Sequence, residues 1–202
     1  MSNDPLSVLT PAQTALLTSP LRVEIIDSLL AQGPASVSEL TVRLHAPAKT
    51  LYYHMHQLQK ADLVRVREVR EVGKRTESVY ETRRMRLQID PSGDAANAEH
   101  TIRWMGAVLR LIGREHERAV RAMSENHPPA GPLLALRHVY QLEKEARGQF
   151  LALLKQARQF AQEHHTPGRG TLLSFSAFVV PLQPRSDLTD TETGSSSEKA
   201  PR

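Results

Sequence analysis

The chain has 202 residues, of which 24% are charged and 40% hydrophobic, and it contains no cysteine. This length suits one core of ordinary size, or a small domain with an extension, and is too short for a large multidomain enzyme. Without cysteine, disulfides, thiolate metal sites and a cysteine nucleophile are excluded. No apolar run approaches the roughly 20 residues that cross a bilayer. The first residues, MSNDPLSVLT, resemble no export leader, so we expect a cytoplasmic protein without membrane contact.

Positive charge is concentrated in one part of the chain. The formal net charge is only +4, but residues 43–86 carry eleven basic and five acidic side chains, so this segment is +6 and the remainder −2. A basic segment within a folded region attracts a phosphate backbone. A solvated surface of arginine and glutamate has a similar composition and remains the alternative interpretation.

Two helices are predicted before residue 45. Ser19-Pro20 is typical of a helix start, and the apolar residues that follow at helical spacing end at Gln32-Gly33-Pro34. Ser36 and Glu39 then form a capping box, in which the serine hydroxyl accepts an amide and the carboxylate returns to the serine amide. The box predicts a second helix of two to three turns.

A third helix is predicted over about residues 47–61, with Leu51, Met55 and Leu58 on its inner side at i, i+4 and i+7. Together the three helices form a tri-helical unit. The outward arc of the third helix can read base edges and contact phosphates if it enters a major groove, although a solvated face is the alternative. It carries Lys49, Thr50, Tyr52, Tyr53, His56, Gln57 and Lys60. His54 lies near the apolar side, where we expect packing or a hydrogen bond near the core.

A β-hairpin with a basic tip is predicted next. Polar and apolar residues alternate from Leu63 to Val69 and again from Ser78 to Thr82, with a glycine-containing turn between them. Lys74 and Arg75 lie at the tip, and Arg70 could share their task. Such a tip suits a wing, about residues 69–77, that brings cations to a DNA backbone or minor groove.

This order of elements resembles the winged helix-turn-helix of the ArsR-like bacterial transcriptional regulators over about residues 17–83. The resemblance rests on "KTLYYHMHQLQKADLV" and "VREVGKRTESVYE". The matching positions are Thr50, Tyr53-His54-Met55, Leu58 and Lys60-Ala61-Asp62-Leu63-Val64. The resemblance implies double-stranded DNA as a partner and a homodimer.

The sequence departs from that family at both ends of the third helix. Asp62 stands where glycine is usual, and aspartate tolerates the left-handed backbone needed there. Ala46 and Pro47 stand where a capping serine is common, so the helix start should be weakly capped. The thiolate metal or arsenic sensors of some members are excluded because cysteine is absent.

Two long helices are predicted in the second half, separated from the first by a boundary near residues 91–94. One runs over about residues 95–125, and the other over about residues 133–164, and the short loop between them indicates an antiparallel hairpin. The first has a heptad seam that favours pairing of subunits. This seam includes Ile102, Met105, Leu109, Ile112, His116 and Met123.

A final strand is predicted over residues 171–180, with Met85 to Ile89 or the same strand of a second subunit as its partner. The last residues, 184–202, are rich in Ser, Thr, Asp, Glu and Pro and are expected to be disordered. We expect residues 1–90 to bind DNA and residues 95–181 to pair the subunits. Whether residues 95–181 also receive a signal is an open question.

The predicted fold class is mainly α with a small β component (α+β): an N-terminal winged helix-turn-helix and a C-terminal long helix hairpin with one or two strands. The predicted function is sequence-specific transcriptional regulation by a cytoplasmic homodimer, with a small-molecule effector of unknown chemistry as an open question. No catalytic motif, cofactor site or metal-ligand spacing is found among the residues, so we expect no enzyme. The alternatives are a protein-interaction module that reuses a winged helix and a histidine-based metal-responsive repressor.

Overall fold

The computed structural model describes residues 7–83, 87–88, 95–124, 131 and 133–182. It contains six helices and five strands within these ranges. The helices are α1 (Pro11–Leu16), α2 (Pro20–Gln32), α3 (Val37–Leu44), α4 (Ala48–Lys60), α5 (Ala95–Ser124) and α6 (Lys144–Glu163), and the strands are β1 (Ser7–Val8), β2 (Ala35–Ser36), β3 (Val64–Val72), β4 (Arg75–Thr82) and β5 (Leu87–Gln88). The predicted class, helix-rich with a small antiparallel sheet, is confirmed.

The tri-helical unit is formed by α2, α3 and α4, as predicted. The Ser36 hydroxyl accepts a hydrogen bond from the Glu39 amide at 3.2 Å, and the Ser36 amide donates to the Glu39 carboxylate at 2.7 Å. The capping box is therefore confirmed. Ser19 occupies the N-cap position of α2 with proline after it, but its side chain makes no capping hydrogen bond. The chain turns from α3 towards α4 at His45, whose left-handed backbone has φ 49°.

Replacing Ser36 by alanine is expected to lower the free energy of unfolding by about 1 kcal/mol, because the Glu39 amide would lose its acceptor. Urea denaturation measures the change. Ser19→Ala is the matched control, since Ser19 is also an N-cap residue but makes no capping bond. An equal loss in the two variants would contradict a specific role for the Ser36 hydroxyl.

The sheet that carries the hairpin has the strand order β2-β4-β3, with both pairs antiparallel. β2 pairs Ala35 with Tyr80 and Ser36 with Val79, so the residue that caps α3 also belongs to the sheet. The register of β3 on β4 shifts by one residue between Val66 and Glu68. The hairpin is thus fixed at its base to the start of α3. The short strand β2 was not predicted from the sequence.

The core lies where α2, α3 and α4 meet the base of the hairpin. Ile25, Leu40, Leu51 and Leu58 are completely buried there. Helix α5 packs against α1 and α2, burying Ala107 and Leu111 and placing Trp104 against the core. One face of α5 therefore shares the core of the helix-turn-helix, which leaves its other face free for a different partner.

Helix α1 was not predicted, although its start carries a recognisable signal. Thr10 and Gln13 form a capping box, with hydrogen bonds of 3.1 and 3.2 Å. Buried Gln13 also donates from Nε2 to the Ala61 carbonyl at 2.9 Å, which ties α1 to the end of α4. The pattern T-x-x-Q would have indicated the helix, but not its long-range contact.

The predicted pairing of the final strand with Met85 to Ile89 of the same chain is wrong, and pairing with a second subunit stays a prediction. Leu87 and Gln88 pair in parallel with Ser7 and Val8, near the N-terminus. Residues 171–180 form no strand and are exposed. β-Branched and aromatic residues favour a strand only where a neighbouring edge is available, and this segment has none in the described part of a single chain.

The second long helix begins later than predicted. It starts at Lys144, whereas residues 133–143 have no regular secondary structure. Helix α6 buries none of its side chains, so the predicted packing of the two long helices against each other is not seen in the described chain. Leucines at helical spacing need a surface to pack on, because short isolated helices are only marginally stable. The predicted disordered tail, residues 184–202, lies outside the described residues.

Candidate nucleic-acid interface

Helix α4 presents two distinct faces. Leu51, Met55 and Leu58 are at most 1% exposed, which confirms them as the inner side. Most of the residues predicted to contact DNA are exposed on the helix: Lys49, Thr50, Tyr52, Tyr53, His56 and Lys60, with Gln57 half-buried. Tyr52 and Tyr53 keep 57% and 58% of their surface exposed. Large aromatic side chains left this open in a well-packed domain are available to a partner.

The two ends of α4 agree with the sequence-based expectations. Pro47 is the N-cap residue and provides no side-chain hydrogen bond, so the first turn is weakly capped. Asp62 has φ 60°, which is the left-handed conformation expected at the exit. Its carboxylate also pairs with Arg83 Nε at 2.9 Å. The start of α4 therefore leaves amide groups open, and its end is held to the base of the hairpin.

His54 links α4 to α2, which confirms the expectation of a hydrogen bond near the core. Arg22 Nε donates to His54 Nδ1 at 3.1 Å, and Arg22 Nη1 donates to the Leu16 carbonyl at 2.9 Å. The ring is half-buried, and burial, followed by the charge of Arg22, lowers the pKa of His54 from 6.5. A neutral imidazole therefore links α4 to α2. The role of Arg22 was not predicted from the sequence, because no local pattern indicates a contact with a residue 32 positions away.

Acidification is expected to weaken this link. Since the pKa of His54 is lower in the folded chain than its ordinary 6.5, the unfolded chain takes up the proton first. The stability that His54 contributes is full above pH 6.5 and is lost as the pH falls through the folded pKa. We expect His54→Phe to reduce this loss in urea denaturation curves recorded at several pH values. His56→Phe, at an exposed position of the same helix, is the control, and an identical pH profile for the wild type and His54→Phe would contradict the prediction.

The hairpin ends in an exposed basic tip. Val72 pairs with Arg75, so Gly73 and Lys74 form the turn, and Gly73 has φ 65°. Lys74 and Arg75 are exposed, and neither forms an ion pair within the described residues. By contrast, Arg65 and Arg67 lie 2.7 and 3.8 Å from Glu81. The cations at the tip are thus available, whereas those further down the strand are partly neutralised.

Helix α4 and strand β4 border the same small cleft. Its volume is about 130 Å³, and it is lined by Tyr52 of α4, by the start of α3, and by Thr76, Glu77, Ser78 and Tyr80 of β4. Thr76 is the neighbour of Arg75 in the sequence. Tyr52 on the outward face of α4 and the β4 residues that follow the tip therefore line one cleft.

Arg70 differs from the other predicted contact residues because its guanidinium is engaged within the protein. Its Nη2 atom lies 2.7 Å from Glu39 of α3 and 3.8 Å from Glu77 of β4. The hydrogen bond from Arg70 is the main reason why the pKa of Glu39 is lowered. Sequence reasoning identified Arg70 but not these partners, which lie on other elements.

Helix α5 leaves much of its predicted dimerisation seam uncovered. Ile102, Leu109 and Met123 are 65%, 52% and 51% exposed. His116 is also exposed, while Met105 and Ile112 are half-buried. The residues that pack inward are instead Trp104, Ala107 and Leu111. Two different apolar faces on one helix are consistent with one partner within the chain and another outside it.

Neither a metal cluster nor a membrane helix is found in the ranges that the structure covers. No group of three or more histidine or acidic side chains there could hold a metal ion. Among the helices of those ranges, none is long and apolar enough to cross a membrane.

A family model described as a helix-turn-helix domain matches residues 17–67. The matched segment contains α2, α3, α4 and the beginning of β3. A search of curated proteins finds no match to the chain. This match supports a DNA-binding regulator in general.

Proposed function

We propose that the protein is a homodimeric, sequence-specific regulator of transcription of the ArsR-like winged helix type. Helix α4 enters the major groove of double-stranded DNA, and the tip of the β3–β4 hairpin contacts the backbone or minor groove. The observation that carries the proposal is the arrangement of α4: three buried residues attach it to the core, while its polar and aromatic arc is exposed. Tyr52 of this arc lines a cleft with Thr76, which follows the basic tip in the sequence.

The proposed contacts are of two kinds, those to base edges and those to the phosphate backbone. Gln57 and Lys60 can donate to base edges in the major groove, and the hydroxyls of Thr50 and Tyr53 can donate to phosphate oxygens. Lys49, Lys74 and Arg75 supply positive charge for the backbone, which accounts for most non-specific affinity. His56 and Tyr52 complete the exposed face.

The second subunit is proposed to cover the outer face of α5. Ile102, Leu109 and Met123 lie on this face, and more apolar surface is exposed in residues 133–182, including Leu136, Phe160 and Phe175. Exposed apolar surface of this extent supports an interface. Pairing through α5 would place two copies of α4 on half-sites about 34 Å apart, one turn of DNA.

Selection of bound sequences from random duplex DNA tests the function, combined with a measurement of the protein's mass in solution. We expect an enriched, roughly palindromic sequence and a mass of twice 22.6 kDa. Affinity for random duplex should fall steeply as salt rises, because cations released from DNA drive binding. Absence of both enrichment and salt-dependent binding would contradict the proposal and favour a protein-interaction module.

A further inference from the structure

The ion-pair network around Arg70 joins the wing to the first helix of the helix-turn-helix. Arg70 on β3 is paired in register with Glu77 on β4, and its Nη2 lies 2.7 Å from Glu39 Oε1 on α3. The second oxygen of Glu39 accepts the Ser36 amide at 2.7 Å, and Ser38 Oγ donates to Glu77 Oε1 at 2.6 Å. Both strands of the hairpin are thus connected to the first turn of α3, and we call these contacts the wing latch.

The wing latch lies close to the tip. Beyond the Arg70–Glu77 pair, only the pairs Glu71–Thr76 and Val72–Arg75 remain before the turn. At about 3.3 Å per residue, Lys74 and Arg75 lie roughly 10 Å or less along the strands from the latch. The β2–β4 pairing holds the hairpin only at its base, at Val79 and Tyr80. The latch is therefore the last described contact with α3 before the cations.

The charges of the latch support each other. The Arg70 hydrogen bond lowers the pKa of Glu39, and hydrogen bonds from Ser38 and Ser36 lower the pKa of Glu77. The same carboxylates raise the pKa of Arg70. All three groups thus keep their charges near neutral pH. Partly exposed ion pairs add little to global stability, so the main physical effect of the network is on orientation.

We propose that Arg70 is a positioning residue that fixes the angle of the wing on α3, so that Lys74 and Arg75 reach the DNA backbone. This inference rests on the proposed DNA-binding function. Under this inference Arg70 acts on DNA binding through Lys74 and Arg75. Its position in the sequence had suggested a direct contact with DNA. A two-stranded ribbon without this contact twists and bends more freely, so Lys74 and Arg75 would contact the DNA backbone for a smaller fraction of the time.

A double-mutant cycle tests the inference. Each phosphate contact contributes about 0.9 to the slope of log affinity against log salt. We expect Lys74→Ala with Arg75→Ala to lower this slope by about 1 to 2 units per subunit. Arg70→Met should lower it by a similar amount in the wild type and should change it little in the background of those two substitutions. A further drop of about 0.9 per subunit in that background would show direct contact and overturn the inference.

A second substitution distinguishes a positioning role from a simple effect of charge, because the two predict opposite changes in the affinity for DNA. Glu39→Gln keeps the capping box, since glutamine also serves there, but removes the charge that holds Arg70. Losing an acidic group near DNA should strengthen binding, whereas a released wing should weaken it. We expect a several-fold weaker affinity for Glu39→Gln. Glu81→Gln is the matched control, because Glu81 pairs with Arg65 and Arg67 of the same hairpin and not with α3. Tighter binding by both variants would overturn the inference.

Failure of the function and failure of the latch are distinguishable. If the wild type shows no salt-dependent affinity for duplex DNA, the proposed function itself fails. If the wild type binds DNA but the effects of the Arg70 and tip substitutions on the salt slope are additive, the positioning role of Arg70 is excluded and the proposed function stands. Thermal unfolding of every variant is recorded in parallel. The inference would also be overturned if the Arg70→Met variant loses affinity only because it is unfolded and a folded Glu39→Gln variant binds DNA like the wild type.

Discussion

Replacing Lys49 and Arg75 together by glutamate should lower the affinity for duplex DNA by about 100-fold or more at low ionic strength, because each reversal turns an attraction to phosphate into a repulsion. Gel-shift or fluorescence titrations at several salt concentrations measure the change. The slope against salt should fall as well. Binding by the double variant at the wild-type level would contradict the proposed interface.

The structure indicates that the fold should tolerate these two reversals. Both side chains are exposed, and neither forms an ion pair among the described residues. Lys49 lies in the first turn of α4, where a glutamate is favourable to the helix, so the variant should not fray more than the wild type. A loss of DNA binding in a folded variant would therefore report on the interface itself.

A control variant separates a local effect from one of overall charge. Lys144→Glu with Lys155→Glu makes the same change in net charge on the exposed surface of α6. We expect a much smaller loss of affinity, because exposed charges separated by more than about 10 Å are largely screened at 0.1 M salt. An equal loss in both double variants would indicate non-specific attraction to the whole protein.

The parts of the fold that were predicted correctly depend on short-range signals. The Ser36–Glu39 box, the spacing of Leu51, Met55 and Leu58, and the glycine turn each act within a few residues. Such patterns determine helix starts, buried faces and tight turns almost independently of the rest of the chain. This is why α3, α4 and the hairpin, with the exposed arc of α4, could be placed from the sequence.

The parts that were missed depend on contacts between distant residues. The parallel pair β1–β5, the strand β2 and the bond from Arg22 to His54 join segments that have no common local pattern. The engaged state of Arg70 belongs to the same group, since one of its partners lies on α3. A single sequence shows which residues can form an ion pair, but not which partner the fold brings near.

The errors in the second half have a related physical cause. Residues 133–143 and 171–180 have strong helical and strand patterns, yet they form neither element and remain exposed. Local preference stabilises a helix or strand only weakly, and packing supplies the rest. Their apolar side chains, among them Leu134 and Val180, have no covering surface in the described part of one chain. This supports the proposal that a second copy supplies a surface.

Disrupting the outer face of α5 is therefore expected to have the second large effect. Ile102→Glu with Leu109→Glu places two like charges on the face proposed to meet its own copy. The mass in solution should fall from two chains to one, and the salt slope for a full palindromic site should drop by about half, because one half-site would lose its subunit. Sedimentation and DNA titrations measure both changes.

These substitutions should leave the fold of each chain intact, since both side chains are more than half exposed and the inner face of α5 uses Ala107 and Leu111. Arg103→Gln with Arg110→Gln is the matched control. It changes the net charge equally and lies one residue further along α5 at each site, at exposed positions outside the seam. A control that stays dimeric beside a monomeric glutamate variant would locate the interface on this face. A glutamate variant that remains dimeric would exclude it and direct the search to residues 133–182, whose exposed apolar side chains are the other large uncovered surface.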